Sequence, residues 1–533
     1  MSDKPLKNRD WLSLKGVVGI SLALGITLWL ITRVLTAGGG LLSEVKEIAQ
    51  VMSLIRQVYV EEPDLEKLTE GAIEGMLRRL DPHSVYLPSS EQKAFSERDI
   101  GQFEGIGISF VIINDLVTVI APIPGTPAEK MGLRAGDRIV EIDGVSAIGI
   151  NNEEVFRRLR GPRGTTVSLK VIREGLQEPL DFTLVRDTIP IHSVWANFML
   201  DDSTGYILLN QFTATTSAEL HQALTEMESR GMKRLILDLR NNHGGRLQEA
   251  VELLDMFIPA GYPLVSHRGR SGSNNKTYYS SHLPTHPLFD LIILVNEGSA
   301  SAAEIVAGAI QDLDRGLVVG KPTFGKGLVQ VPFPMKNGGV IRLSTAYWYA
   351  PSGRTVQKPF YQGREDYYAL SSRSKIDTTN LQVYKTLTGR EVKGFSGIIP
   401  DSVVEEWTIS STTAQLIANQ FLFSYAQELA RHYLPGQHSF EAFLRDFQIT
   451  DEDLNELWRR AQEKKIPGTS EAFRKDSAYV KTLLKAEMAQ IIWNGRDFYY
   501  RVITTEDPIV KAGLNLFPLA KEISAYWHKR NRG

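Results

Sequence analysis

The stretch LIILVNEGSASAAEIVAGAIQDLDRGLVVGKPTFGKGLVQ, residues 291–330, decides the fold. Leu291 to Val295 are all apolar and rich in branched side chains, the pattern of a short strand buried on both faces. Residues 300–312 then read as a helix, and Asn296-Glu297-Gly298-Ser299 between them as a tight turn. A second unit of the same kind lies upstream: a strand at residues 235–240, the loop Asn241-Asn242-His243-Gly244-Gly245, and a helix from Leu247. Two such βα units predict an α/β sheet whose chemistry sits in the loops at the strands' C-terminal ends.

Ser301 stands at the N-terminus of the expected helix, where unpaired N–H groups and the helix dipole favour an oxyanion. That makes it a candidate nucleophile. Glu304 three residues later also fits a capping box, in which the serine hydroxyl only satisfies a backbone amide. Ser299 is an alternative cap that would leave Ser301 free. Lys326 follows in a Thr-Phe-Gly-Lys-Gly turn between the apolar runs at residues 317–319 and 328–333. Desolvation there would lower its pKa from ~10.4 toward the ~7–8 of a useful general base. Gln330 can hold the amine without adding charge.

GSASAAEIVAGAIQD, then VGKPTFGKGLVQ, then IRLSTAYWYAPSGRTVQKP resemble the core of the carboxyl-terminal processing, or tail-specific, serine–lysine proteases. The resemblance covers roughly residues 43–402. It implies that Ser301 is the nucleophile, Lys326 the base and Gln330 its orienting partner. It also implies that an N–H of the Gly244-Gly245 pair joins that of Ala302 in an oxyanion hole, without saying which glycine donates. Glycines let a backbone approach substrate closely. His243 stands where the family usually has proline, and a solvated loop histidine is its plain reading.

The chain has 533 residues, too many for one core, and a net charge of −2. With no basic excess to neutralise phosphates, nucleic acid is not an expected partner. Cysteine is absent, and the 10 histidines show no HExxH spacing, so neither a metal nor another cofactor is expected.

Lys4, Lys7, Arg9 and Lys15 precede the apolar run at residues 16–32, which ends at Arg33 and Gly38-Gly39-Gly40. It is long enough to span a bilayer with its neighbours, and the basic flank keeps the N-terminus in the cytoplasm. The alternative is a cleaved signal peptide at Leu35-Thr36-Ala37, which the large Leu35 disfavours. From residue 42 to 80, apolar residues at helical spacing predict two or three amphipathic helices, closed by LDPHSVYLPS. His83 in that turn invites a Ser–His–Asp reading, although a histidine after proline at a helix end is more often structural.

Residues 98–187 alternate strands with short helices near residues 127–131 and 152–159, an order similar to a circularly permuted PDZ domain of bacterial proteases. In that resemblance Gly105, Ile106, Gly107 and Ile108 form the loop whose N–H groups take a peptide's terminal carboxylate. GREVKGFSGIIPDS closes the protease core near Ser402, and helical periodicity with many aromatics follows. That tail reads as a helical module that packs on the core or on a second subunit.

The expectation is a multidomain α/β chain: membrane anchor at residues 1–41, helical segment at 42–97, mostly-β PDZ domain at 98–187, protease core of crotonase-like or ClpP-like type at 188–402, and helical C-terminal module at 403–533. Its expected activity is cleavage, through an acyl-enzyme, of envelope proteins or peptides with free C-termini. The body would lie on the periplasmic or extracytoplasmic side of a bacterial inner membrane, and an adaptor and a homo-oligomer are open as further partners. Rival readings are a non-catalytic PDZ scaffold and a Ser–His–Asp hydrolase using His83 or His243.

Overall fold

The computed structural model describes residues 39–272, 275–360, 367, 381–433 and 439–530. Among them no helix is long and apolar enough to cross a membrane. The apolar run at residues 16–32 lies outside the described residues.

Six strands, Val194–Met199, Thr204–Leu209, Arg234–Asp238, Asp290–Val295, Leu317–Gly320 and Ser402–Val403, form one sheet in chain order. The first pair is antiparallel and the others are parallel. Side chains alternate across the sheet. Leu235, Leu237, Leu291, Ile293 and Val295 pack with the helices Thr216–Ser229, Leu247–Asp255 and Ala302–Asp312. Ile236, Ile292, Leu294, Leu317 and Val319 face the other way and meet Ile509, Val510, Phe517 and Ala520 of the helix Pro508–Ile523.

The unbroken apolar strands therefore have cover on both faces, and the second cover comes from the far end of the chain. Asp507 caps that helix by accepting the N–H groups of Ile509 and Val510, and its other oxygen pairs with Arg240 at 2.8 Å. Just beyond, Trp527 reaches the first face and donates its indole N–H to the Leu313 carbonyl at 2.8 Å. The remaining C-terminal helices build a core of their own around Leu416, Phe443, Leu457 and Leu484. Through Pro508–Ile523 and Trp527 this module packs on the protease core. The periodic stretch at residues 414–433 is two helices, Ser411–Ala418 and Phe421–His432, broken where Gln420 turns left-handed at φ 55°.

A second, antiparallel sheet runs Val85–Leu87, Val340–Tyr349, Pro263–Gly269, Lys276–Tyr279. Leu328–Pro334 pairs along the other side of Val340–Tyr349. This sheet carries the strand that follows Lys326.

Six strands, Ile108–Ile113, Leu116–Pro122, Arg138–Ile142, Val145–Ser146, Thr166–Ile172 and Leu180–Val185, form the PDZ sheet, with the helices Pro127–Lys130 and Asn152–Leu159. Its core is Ile106, Val117, Val119, Ile139, Val155 and Leu169 among others. Both chain connections leave through one two-stranded neck, in which Gln102–Gly105 pairs antiparallel with Asp187–Pro190. The PDZ unit also meets the C-terminal module, where Arg431 pairs with Glu174 at 2.5 Å.

The described residues from 39 to 79 belong to a separate compact unit. It contains the helices Gly39–Val58 and Leu65–Leu77, the second capped by Asp64, whose carboxylate accepts the N–H groups of Glu66 and Lys67 at 3.1 Å each. Along the first helix Val45, Ile48, Val51 and Leu54 remain exposed.

Candidate active site

Ser301 is the residue that begins the helix Ala302–Asp312, and its backbone is held at φ 55° and ψ −113°. Such a left-handed, strained geometry for a non-glycine residue is typical of functional turns. Ser301 is the N-cap, its N–H donating to the Glu304 side chain as in the capping-box reading, and the alternative cap, Ser299, does not take that place. The Ser299 hydroxyl accepts the Asn296 N–H at 3.0 Å and donates to the Leu239 carbonyl at 2.7 Å, which staples the turn to the neighbouring strand end.

The Asn241–Gly245 loop lies directly against that turn. Asn242 accepts the Ala300 N–H on its carbonyl at 2.9 Å and the Gly244 N–H on Oδ1 at 2.9 Å, while its Nδ2 donates to the Leu209 carbonyl at 2.7 Å. Gly244, at φ 89°, leaves no room for a side chain: a Cβ there would sit 2.7 Å from the Ala300 carbonyl oxygen and 2.8 Å from the Ala302 nitrogen. The Gly244 N–H is thus already engaged. The N–H groups of Gly245 and Ala302 have no acceptor among the described residues.

Lys326 comes from the loop between the strands Leu317–Gly320 and Leu328–Pro334. Its Nζ donates to Gln330 Oε1 at 2.9 Å, and its own carbonyl accepts the Trp348 indole N–H at 3.0 Å. Burial first, and then the like charge of Arg342, pull its pKa down to about 8. Arg342 lies over the Phe95 ring at 4.4 Å and within 3.4 Å of the same Gln330 oxygen.

Glu304 joins the two loops. It is fully buried and accepts four donors: the N–H groups of Ser301, Gly325 and Lys326 at 2.8, 2.7 and 2.9 Å, and the Thr323 hydroxyl at 2.6 Å. Burial pushes its carboxyl up from the ordinary value, and the four donors oppose that rise.

Ser301, Ala302, Gly244, Gly245, Lys326 and Gln330 all line one cleft of about 500 Å³, whose wall includes Ile305, Leu328, Trp348 and Arg342. His243 is exposed at its rim. His83 is not among the lining residues: its imidazole is bonded to the Tyr367 hydroxyl at 2.8 Å and set edge-on to that ring. What His83 does bring to the site is its main-chain carbonyl, which accepts from Gln330 Nε2 at 2.5 Å. Among the described residues no group of three or more His, Asp or Glu side chains is arranged to hold a metal.

Sequence reasoning missed Arg342, and it missed Lys358, whose buried Nζ sits 4.0 Å from the Phe324 ring centre with no hydrogen-bond partner among the described residues. Burial lowers its pKa to about 8 as well. Both lie in the quoted block IRLSTAYWYAPSGRTVQKP, but nothing local marks Arg342 as a neighbour of Lys326, or Lys358 as bonded through its backbone N–H to the Gly325 carbonyl at 3.1 Å.

In the PDZ unit Ile106 is buried, and Gly107 adopts φ 83° with a Cβ position only 2.4 Å from Thr126. The N–H groups of Ile106 and Gly107 have no acceptor among the described residues. Beyond Ile108, Phe110 on the strand meets Phe156 on the helix Asn152–Leu159 edge to face at 5.3 Å.

Four protein families match parts of the chain. Residues 203–364 match peptidase family S41, residues 118–173 the PDZ domain, residues 33–90 the activating protease CtpB N-terminal domain, and residues 409–494 a family of unknown function. The carboxy-terminal-processing protease of Bartonella bacilliformis is 39% identical over 318 residues, covering 59% of this chain and 73% of the relative. The carboxy-terminal processing protease CtpB of Bacillus subtilis is 35% identical over 344 residues, covering 64% of this chain and 71% of the relative. Among solved structures, the photosystem II D1 C-terminal processing protease aligns at 28% identity and a TM-score of 0.32, over 58% of this chain and 89% of its own.

Proposed function

This chain belongs to peptidase family S41 and is a carboxy-terminal processing serine endopeptidase with a PDZ domain, and from that premise we propose that Ser301 is its nucleophile, Lys326 its general base and Gln330 the base's orienting partner. The observation that carries this reading is the pairing of Lys326. Its amine is buried beside the Ser301 turn and held at 2.9 Å by a neutral amide oxygen rather than by a carboxylate, so deprotonation leaves no orphaned anion at that bond.

In this mechanism neutral Lys326 takes the Ser301 proton as Oγ attacks the scissile carbonyl. The resulting oxyanion is received by the N–H groups of Gly245 and Ala302, since that of Gly244 is engaged with Asn242. Collapse breaks the C–N bond, and the leaving amine takes the proton from the Lys326 ammonium. Neutral Lys326 then takes a proton from a water that attacks the Ser301 ester, and as the acyl–oxygen bond breaks the Lys326 ammonium returns that proton to Ser301 Oγ. Ile305, Leu328 and Trp348 give the cleft an apolar wall for the substrate side chain.

The PDZ loop Gly105–Ile108 takes the substrate's terminal carboxylate in this reading. Support comes from the two unpaired N–H groups at Ile106 and Gly107 and from the partly buried apolar ring of Phe110 on the strand that follows them. The run at residues 16–32 anchors the protein in the inner membrane with its body outside the cytoplasm, and an adaptor or self-association are compatible with this arrangement. Protease protection of the chain in intact cells and spheroplasts tests that orientation.

The catalytic assignment is tested with a serine-reactive probe and an unfolded substrate with an apolar tail. Ser301→Ala should lose both labelling and cleavage, and Lys326→Ala should be comparably inactive because the two act as a unit. Wild-type turnover in either variant would sink the assignment.

A further inference from the structure

Gln330 must present its amide oxygen, not its NH2, to Lys326. The two ends of an amide are nearly the same shape, so the choice is made by what each end meets. Gln330 Nε2 donates to the main-chain carbonyl of His83 at 2.5 Å. A carbonyl can only accept, so standing at this position it selects the NH2 end and turns the oxygen toward the amine. The reverse orientation would aim an N–H at the lone pair of neutral Lys326, the pair that has to take the Ser301 proton.

That carbonyl is itself fixed by a small network. Asp81 Oδ1 accepts the N–H groups of His83 and Ser84 at 2.8 and 2.9 Å and the Ser344 hydroxyl at 3.0 Å. Asp81 Oδ2 accepts the Ser84 hydroxyl at 2.6 Å, and the Ser344 N–H donates to Ser84 Oγ at 3.1 Å. Ser344 lies opposite Gln330 in the pairing of Leu328–Pro334 with Val340–Tyr349. The turn that presents the carbonyl is therefore pinned to the strand beside the residue it orients.

We propose that Asp81 is a positioning residue for catalysis: by locking the Asp81–Ser84 turn, it holds the His83 carbonyl where that carbonyl fixes the Gln330 amide with its oxygen toward Lys326. The imidazole has no part in this, being bonded to the Tyr367 hydroxyl. The inference rests on the Ser301–Lys326 reading above, which Lys326→Ala tests separately.

The charges that face Lys326 are Arg342, Glu304 and Asp81 itself, so removing the Asp81 carboxylate also acts on the lysine through space. Two substitutions separate the effects. Asp81→Asn removes the charge but keeps an oxygen that accepts from His83 and Ser84, whereas Asp81→Ala removes both. Profiles of kcat against pH on the full chain, with the folded fraction measured by thermal melting, should show the rising limb moved to lower pH in both variants. Only Asp81→Ala should lower the high-pH plateau of kcat, by roughly 10–100-fold, with KM little changed. Ser84→Ala retains the charge and should lower the plateau without moving the limb; it carries the test if Asp81→Ala fails to fold. Equal plateaus for Asp81→Asn and Asp81→Ala, or plateaus that fall only with the folded fraction, overturn the positioning role. Wild-type activity in Lys326→Ala instead overturns the underlying base assignment.

Discussion

One oxygen of Glu304 accepts the main-chain N–H of Ser301 at 2.8 Å and that of Lys326 at 2.9 Å, so a single buried carboxylate fixes the two loops of the site against each other. Glu304→Ala would leave three N–H groups and the Thr323 O–H without an acceptor in a dry place, although Thr323 Oγ1 still accepts the Ile398 N–H. The expected cost is about 3 kcal/mol or more in urea unfolding, since each buried unsatisfied group costs ~1–3 kcal/mol. Cleavage should fall with it, and Glu304→Gln, which restores one acceptor, should recover part of the stability.

Lys326 sets the pH dependence. Catalysis needs the neutral amine, so kcat should rise with pH along a limb centred near 8. Stability follows the same group with its own sign. A lysine whose folded pKa lies below its unfolded value binds fewer protons when folded, so its contribution rises with pH between about 8 and ~10.4. At neutral pH the buried ammonium is destabilising by up to about 3 kcal/mol. Lys326→Met should therefore be inactive yet melt higher at pH 7, and a lower melting temperature would contradict this account.

The glycine pair should be intolerant for steric reasons. Ala at 244 would clash with Ala300 and Ser301, and Ala at 245 would put its Cβ 2.0 Å from the Phe212 carbonyl oxygen. Gly244→Ala is expected to lower kcat by at least ~100-fold through displacement of the oxyanion loop, with a smaller effect on KM. Steady-state kinetics on an unfolded peptide substrate measure both.

The C-terminal helix should behave as part of the protease core. Phe517 is buried against the face of the main sheet that carries Ile236 and Leu294. Phe517→Ala is expected to cost ~3–5 kcal/mol. Removing the chain from Pro508 onward should leave an insoluble core, visible as aggregation on expression, and a soluble, active truncation would refute the assigned role.

Tail recognition by the PDZ unit should gate cleavage. Gating here means that the PDZ unit keeps the site closed until a tail binds, and a shift from mostly closed to mostly open needs about 5.5 kcal/mol of differential binding, more than the ~1.5–3 kcal/mol from one apolar side chain. The carboxylate bonds must contribute, so amidating a substrate's C-terminus should slow cleavage markedly. Gly107→Val, which drives a side chain into Thr126, should slow free-acid substrates to the rate of amidated ones. Equal rates for amidated and free-acid substrates in the unmodified protein would exclude tail gating.

The sequence by itself determined the strand–turn–helix order around Ser301, because apolar periodicity and glycine placement are local properties of the chain. It also determined the candidate residues Ser301, Lys326 and Gln330, since long motifs carry them at fixed spacing. Tertiary structure alone decided the rest. Which glycine keeps a free N–H depends on Asn242, whose side chain takes that of Gly244. His83 reads as an imidazole in the sequence, but its carbonyl is what reaches Gln330, and main-chain groups have no residue code. Phe517 meets Ile236 and Leu294 from far along the chain. No pattern in a neighbouring window reports such a contact, because it exists only once the whole sheet has a face to cover.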